Sequence, residues 1–140
     1  DQGFVVNDAE VTGIGTSYAT GDAILLHEDS TLDANSKAMP QACYLSHLEL
    51  QLDETSSTVA EVSCFLTWDS AGNDPITAEA VDLAVHAGLT DTSLRLVSVA
   101  MDVWIRSPAT QTTAGKVYLW VECKTGDATL KIARLHWAVR

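Results

Sequence analysis

The chain has 140 residues, 46% of them hydrophobic and 19% charged, and a formal net charge of −11. That length and balance suit one soluble globular domain and exclude intrinsic disorder. The acidic excess argues against nucleic acid as a partner, and no stretch approaches the roughly 20 apolar residues of a membrane-spanning helix.

Residues 1–40 are rich in Gly, Ala, Ser, Thr and Asp, with short apolar pieces at Phe4-Val5-Val6, Val11 to Ile14 and Ala23 to Leu26. Such a segment buries little surface against its ordering cost. It is predicted to be an extended N-terminal arm, with short strands around a turn at Thr20-Gly21-Asp22, ordered by docking on the domain or on a neighbouring subunit. No signal-peptide pattern opens the chain, which starts at Asp1 as a processed or trimmed product would. Met39-Pro40 closes the arm, because Pro40 biases its predecessor toward extended backbone.

From residue 41 to residue 140 the apolar period is two, as half-buried antiparallel strands require. Tyr44, Leu48, Leu50 and Leu52 oppose His47, Glu49 and Gln51. After a polar turn at Asp53 to Ser57, Val62, Cys64, Leu66 and Trp68 oppose Glu61, Ser63 and Thr67. Asp74-Pro75 with Ile76, Ala80, Leu83 and Ala84 reads as a capped helix, whereas Val81, Leu83 and Val85 read as a strand; the caps tip the expectation to a short helix or loop. Val97, Val99, Met101, Val103 and Ile105 then oppose Ser98, Ala100, Asp102 and Arg106. Residues 116–124 and 128–139 flank Thr125-Gly126-Asp127 and are predicted to pair as a hairpin. A parity change in the second of these suggests a bulge near Ala133-Arg134. The predicted fold is all-β, an antiparallel two-sheet sandwich or jelly-roll-like barrel, with residues 41–140 as its single domain.

No catalytic signature is present. Gly15-Thr16-Ser17-Tyr18 lacks the second glycine of a nucleophile elbow, and Gly13-Ile14-Gly15 is only half of a dinucleotide fingerprint. Asp69 to Asp74 offers oxygen ligands without calcium-loop spacing and is expected to be a solvated turn. Glu49 with Asp53, or with Glu61 across a hairpin, could form a carboxylate pair of the kind any acidic β-protein offers. Cys43, Cys64 and Cys123 sit in apolar runs and are expected as buried thiols, with a Cys43–Cys64 disulfide as the alternative. A zinc site from Cys43, His47 and Cys64 lacks paired close-spaced ligands. We therefore expect no catalytic residue, no cofactor and no metal.

Charge is distributed unevenly. Sixteen of the nineteen acids lie between Asp1 and Asp91, where Lys37 is the sole Lys or Arg; the other seven Lys/Arg lie from Arg95 to Arg140. Either late strands pair with early ones and neutralise them, or each subunit has an acidic and a basic face suited to head-to-tail assembly. Trp68 and Trp137 share the apolar parity of their strands and are expected in the core. Trp104 and Trp120 lie on the opposite parity. The predicted interface residues are Phe4 and Val5 in the arm, and Trp104, Arg106, Tyr118, Trp120 and Arg134 on the late strands.

Cys64-Phe65-Leu66-Thr67-Trp68-Asp69-Ser70-Ala71-Gly72-Asn73-Asp74-Pro75-Ile76-Thr77, followed by Gly88-Leu89-Thr90-Asp91-Thr92 and the strand Leu94 to Arg106, resembles small structural proteins of tailed phage particles, including capsid decoration (cement) proteins. The resemblance covers roughly residues 60–140. It implies a compact β-fold with arms that oligomerises on a capsid shell, without catalysis or cofactor. The expectation is a non-enzymatic virion protein assembled in the host cytoplasm. Its partners would be its own copies, as in a trimer, and a major capsid or other virion protein. The alternative is a carbohydrate-binding β-sandwich that uses Trp104 and Trp120.

Overall fold

The structure, a computed structural model, describes residues 1–7, 9–14, 23–28, 35–54, 61–76, 81–84, 94–106, 116–123 and 128–139. Among them are nine strands and no helix: β1 (Gln2–Asn7), β2 (Val11–Ile14), β3 (Ile24–Leu26), β4 (Ala42–Glu54), β5 (Glu61–Thr67), β6 (Val81–Ala84), β7 (Leu94–Arg106), β8 (Val117–Cys123) and β9 (Ala128–Ala138). They form two antiparallel sheets. One has the order β1-β9-β4-β7, with β2 also on β9; the other has the order β3-β8-β5-β6.

Apart from β2, the strands pair from the outside inward: β1 with β9, β3 with β8, β4 with β7 and β5 with β6. The chain is thus one long antiparallel ribbon rolled on itself, and the β4–β9 and β5–β8 ladders close the roll. This is the predicted all-β sandwich in its jelly-roll form. Between the sheets lie Leu45, Leu48, Leu50 and Leu52 of β4, Cys64 and Leu66 of β5, Leu119 of β8, and Leu130, Leu135 and Trp137 of β9. Trp68 is also buried there, as its parity predicted.

Two register shifts decide which side chains face outward. Leu45 pairs with Trp137 and His47 with His136, so Ser46 is an extra residue on β4. The bulge reverses parity: Leu45 enters the core and Tyr44, expected there with Leu48, turns outward. On the other side Ser46 faces Met101 and Asp102, and Asp102 takes a left-handed φ of 48°, which aspartate tolerates better than most residues. The second shift, expected near Ala133-Arg134, falls earlier. Gln51 pairs with Ile132 and Leu52 with Leu130, leaving Lys131 as the extra residue.

Several other expectations change. Asp74-Pro75 starts no helix. Trp68 N–H donates to Asp74 O at 2.8 Å and Ile76 N–H to Leu66 O at 2.9 Å, so the chain runs back along β5. Residues 81–84 form β6 on β5, and the strand-like alternation prevails because it has a partner edge. Strands β8 and β9 are not a hairpin: they belong to opposite sheets, as do β4 and β5. The turns at 20–22, 55–57 and 125–127, the Gly15 to Tyr18 and Gly88 to Thr92 segments, and residues 77–80 and 85–87 of the ambiguous segment lie outside the described residues.

No extended arm appears among the described parts of residues 1–40. They supply β1, β2 and β3 to the sandwich itself. Val5 and Val6 have no exposed surface, and Gly3 lies so close to Trp137 that a Cβ would come within 2.7 Å of its ring. The free edge of β1 is covered: Val6 and His27 exchange backbone hydrogen bonds at 2.9 and 3.2 Å, and Lys37 N–H donates to Phe4 O at 2.9 Å. Among the described residues no helix is long and apolar enough to cross a membrane. Removing residues 1–7 should therefore destabilise the domain rather than trim an appendage. Two fully buried valines contribute about 3–4 kcal/mol, so the melting temperature should fall by roughly 10 °C or more. An unchanged melt by circular dichroism would show that β1 is dispensable.

Candidate functional site

The outward face of the β1-β9-β4-β7 sheet gathers most of the chemically distinctive side chains. Trp104 on β7 is 53% exposed, the exposed large hydrophobic residue among those described. Its ring lies 5.4 Å from that of Tyr44, its Cα partner on β4, at an interplanar angle of 50°. The Tyr44 hydroxyl donates to Asp102, and this bond raises the phenol above its ordinary pKa and keeps it protonated. Trp104, Tyr44, Ala138 and Val139 line a concavity of about 370 Å³.

Next to it, β4 and β9 hold His47, Glu49 and His136. The Ser46 bulge puts His47 directly opposite His136, and their rings stack 4.1 Å apart at 11°. His136 Nε2 hydrogen-bonds Glu49 Oε1, and His47 Nε2 lies 3.5 Å from the same oxygen. Ser46 Oγ is 2.8 Å from His47 Nδ1. Phe4 of β1 packs on His136 with ring centroids 5.3 Å apart, and Arg134 lies over the Phe4 ring at 5.7 Å. A cavity of about 630 Å³ opens here, lined in part by Phe4, Lys37, Tyr44, Ser46, His47 and His136. Burial holds His136 below the ordinary imidazole pKa, and His47 and Arg134 add to this while Glu49 opposes it.

Four of the seven predicted interface residues, Phe4, Trp104, Arg106 and Arg134, belong to strands of this sheet and have exposed or half-exposed side chains. Val5 points into the core. Tyr118 is half-buried on β8 in the other sheet. Trp120 corrects the expectation of an exposed ring. It does leave the core side of β8, but it is only 4% exposed because the Trp68-to-Ile76 loop folds over it. Its ring stacks on Phe65 at 5.6 Å, and its Nε1–H donates to Thr67 Oγ1 at 2.9 Å. Gly72, at φ 78°, lies against the ring where a Cβ would approach to 3.0 Å. The acidic loop is built around this contact: Asp69 accepts the backbone N–H groups of Asn73 at 3.1 Å and Asp74 at 2.9 Å.

Cys43 and Cys64 are buried in opposite sheets and no disulfide joins them; burial pushes the Cys43 thiol up to about 11. Cys43 faces inward and His47 outward, so the imagined Cys43–His47–Cys64 zinc set does not assemble. Glu49 and Glu61 are on different sheets and are not cross-strand neighbours. His27 bridges β1 through its backbone, and His86 and the side chain of Cys123 lie outside the description. The His47–Glu49–His136 group went unrecognised in the sequence. Only the i, i+2 spacing of His47 and Glu49 hinted at it.

No protein-family model and no curated protein matches the chain. Among solved structures it is similar to the Tobacco streak virus coat protein, at 12% identity and a TM-score of 0.38, covering 99% of this chain and 85% of that one. It is also similar to the Eiger TNF of S. frugiperda, at 10% identity and 0.41, covering 99% and 94%. A family two carbohydrate esterase from Cellvibrio japonicus aligns at 11% identity and 0.36, covering 99% of this chain and 34% of that one. Likenesses this distant assign neither family nor function.

Because the folded pKa of His136 lies below its unfolded value, the unfolded state binds more protons, and stability falls as pH drops below about 6.5. His136→Gln should flatten the loss of melting temperature between pH 7 and pH 5, measured in buffer containing EDTA. A variant that keeps the wild-type pH slope would locate the acid sensitivity elsewhere.

Proposed function

We propose that the chain is a non-enzymatic structural protein of a virus particle, of the capsid decoration or minor capsid or tail kind. It self-associates through the outer face of the β1-β9-β4-β7 sheet and packs against neighbouring virion proteins. The observation that carries the assembly part is Trp104, exposed on the sheet beside Tyr44 and on the same face as Arg134 and Phe4. Trp, Tyr and Arg are the residues that most often anchor protein interfaces. The virion part is supported by the resemblance of residues 60–140 to phage structural proteins.

Mutual attraction of an acidic and a basic face is not the means. Early and late strands alternate across the sheet, so the charge split along the chain is folded into cross-strand neighbours, as in Glu49 opposite Arg134. Contact rests instead on apolar and aromatic area. Carbohydrate binding remains the second reading because Trp104 and Tyr44 line a concavity, with Tyr44 in the place assigned to Trp120.

Light scattering coupled to size-exclusion chromatography tests the proposal. The wild-type chain should be oligomeric at micromolar concentration, and Trp104→Ala should weaken association by roughly 30-fold or more with an unchanged fold. A wild-type chain that stays monomeric at 100-fold higher concentration would sink self-assembly. Quenching of Trp104 fluorescence by polysaccharides in that monomer would favour the second reading.

A further inference from the structure

The outer face also holds a compact group of metal-ligating side chains on β4 and β9. His47 and Glu49 are two residues apart on β4 and so share a face, and His136 is the cross-strand partner of His47. Two imidazole nitrogens and one carboxylate oxygen lie within 4.8 Å of one another, all from half-buried residues. The β4–β9 ladder fixes all three backbone positions, so the cluster does not depend on a loop. We propose that His47, Glu49 and His136 form a binding site for a divalent transition-metal ion of the zinc class, with at least one coordination position open to the adjacent cavity.

The donor set determines the class of ion. Magnesium and calcium prefer all-oxygen sites, whereas two imidazoles with a carboxylate suit zinc and its late first-row neighbours. Three protein ligands with a vacant fourth position is the arrangement of zinc sites that exchange water or an external ligand. Ligand atoms at the usual bond lengths of a tetrahedral zinc site stand about 3.4 Å apart. The His47 Nε2 to Glu49 Oε1 separation is 3.5 Å, close to that edge and too long for a good hydrogen bond. His136 Nε2 contacts the same oxygen, and small side-chain rotations would open that contact and tilt the stacked rings toward a common point.

The surroundings support the ligands. Ser46 Oγ lies 2.8 Å from His47 Nδ1, and the tautomer that donates Nδ1–H to this hydroxyl is the one a metal at Nε2 would select. Phe4 packs against the His136 ring and limits its rotation. The 630 Å³ cavity gives an entry path and room for a water or an external donor. The site lies within one subunit and does not depend on self-association.

Isothermal titration of the untagged, EDTA-treated chain with zinc chloride tests the proposal. One equivalent should bind with micromolar or tighter affinity. His47→Gln and His136→Gln should each weaken binding at least tenfold, and Ser46→Ala should weaken it by about tenfold, as loss of a supporting hydrogen bond does. Glu10→Gln, which alters a carboxylate that pairs with Lys131 and not with the cluster, should leave it unchanged. Cobalt bound to the wild-type chain should show the intense visible bands of a four- or five-coordinate ion, displaced by zinc, a readout that holds even if a variant misfolds. Absence of saturable one-equivalent binding, a solvent-like octahedral cobalt spectrum, or undiminished affinity in a folded His47→Gln/His136→Gln variant would overturn the proposal.

Discussion

The paired ladders of β4 are the constraint on which the rest of the molecule depends. β4 lies between β7 and β9, and its inward leucines, Leu45, Leu48, Leu50 and Leu52, are nearly devoid of exposed surface. Both neighbours come from the far half of the chain; the Glu49–His136 contact alone spans 87 residues. A strand held on both sides by such distant partners fixes the roll, with β1 added on the far edge of β9 and β8 in the opposite sheet. The loop-closure cost of these pairings is recovered only when the core closes, as expected of a slow-folding, non-local β-topology.

What could be read in the sequence was what local chemistry controls. Alternation in residues 94–106 and 44–52 identified strands and, for the most part, their inner faces, and the parity of Trp68 and Trp137 placed them in the core. The errors arise where a distant partner decides. Thr125-Gly126-Asp127 has turn chemistry, but turn chemistry does not say whether the next strand pairs with the last or crosses the core. Asp74-Pro75 has helix-start chemistry, but Asp69 captures the adjacent N–H groups and the chain turns back on β5. Trp120 has outward parity, yet the loop that carries Gly72 covers it. Each case is a local preference overridden by tertiary contact.

The candidate site shows the same limit more sharply. A single inserted residue, Ser46, reverses the side-chain parity of β4 and sets His47 against His136. Were Leu45, Ser46 and His47 in regular alternation, Leu45 and His47 would share a face and His47 would lie on the core side of the sheet. Nothing in the spacing of four scattered histidines announces this. The sequence did suggest bulges through the parity change in the last strand, but the second bulge falls at Lys131 rather than two or three residues later. An error of that size is enough to move a functional side chain through the sheet.

The rolled topology also decides what the charge asymmetry can do. An acidic first half and a basic last third become adjacent strands wherever the ribbon folds on itself, and Lys131 meets Glu10 at 2.9 Å in this way. The attraction is spent inside the fold, at exposed pairs that each contribute little. The net charge of −11 remains and makes copies of the chain repel one another at long range. Any association must therefore depend on short-range contact, and the outer strip from Trp104 through Tyr44 to Phe4 is where such contact is available. Tyr44 lines both the concavity beside Trp104 and the cavity beside His47 and His136. A partner seated on Trp104 would thus rest against the wall of the proposed metal site, with Tyr44, held in place by Asp102, standing between the two.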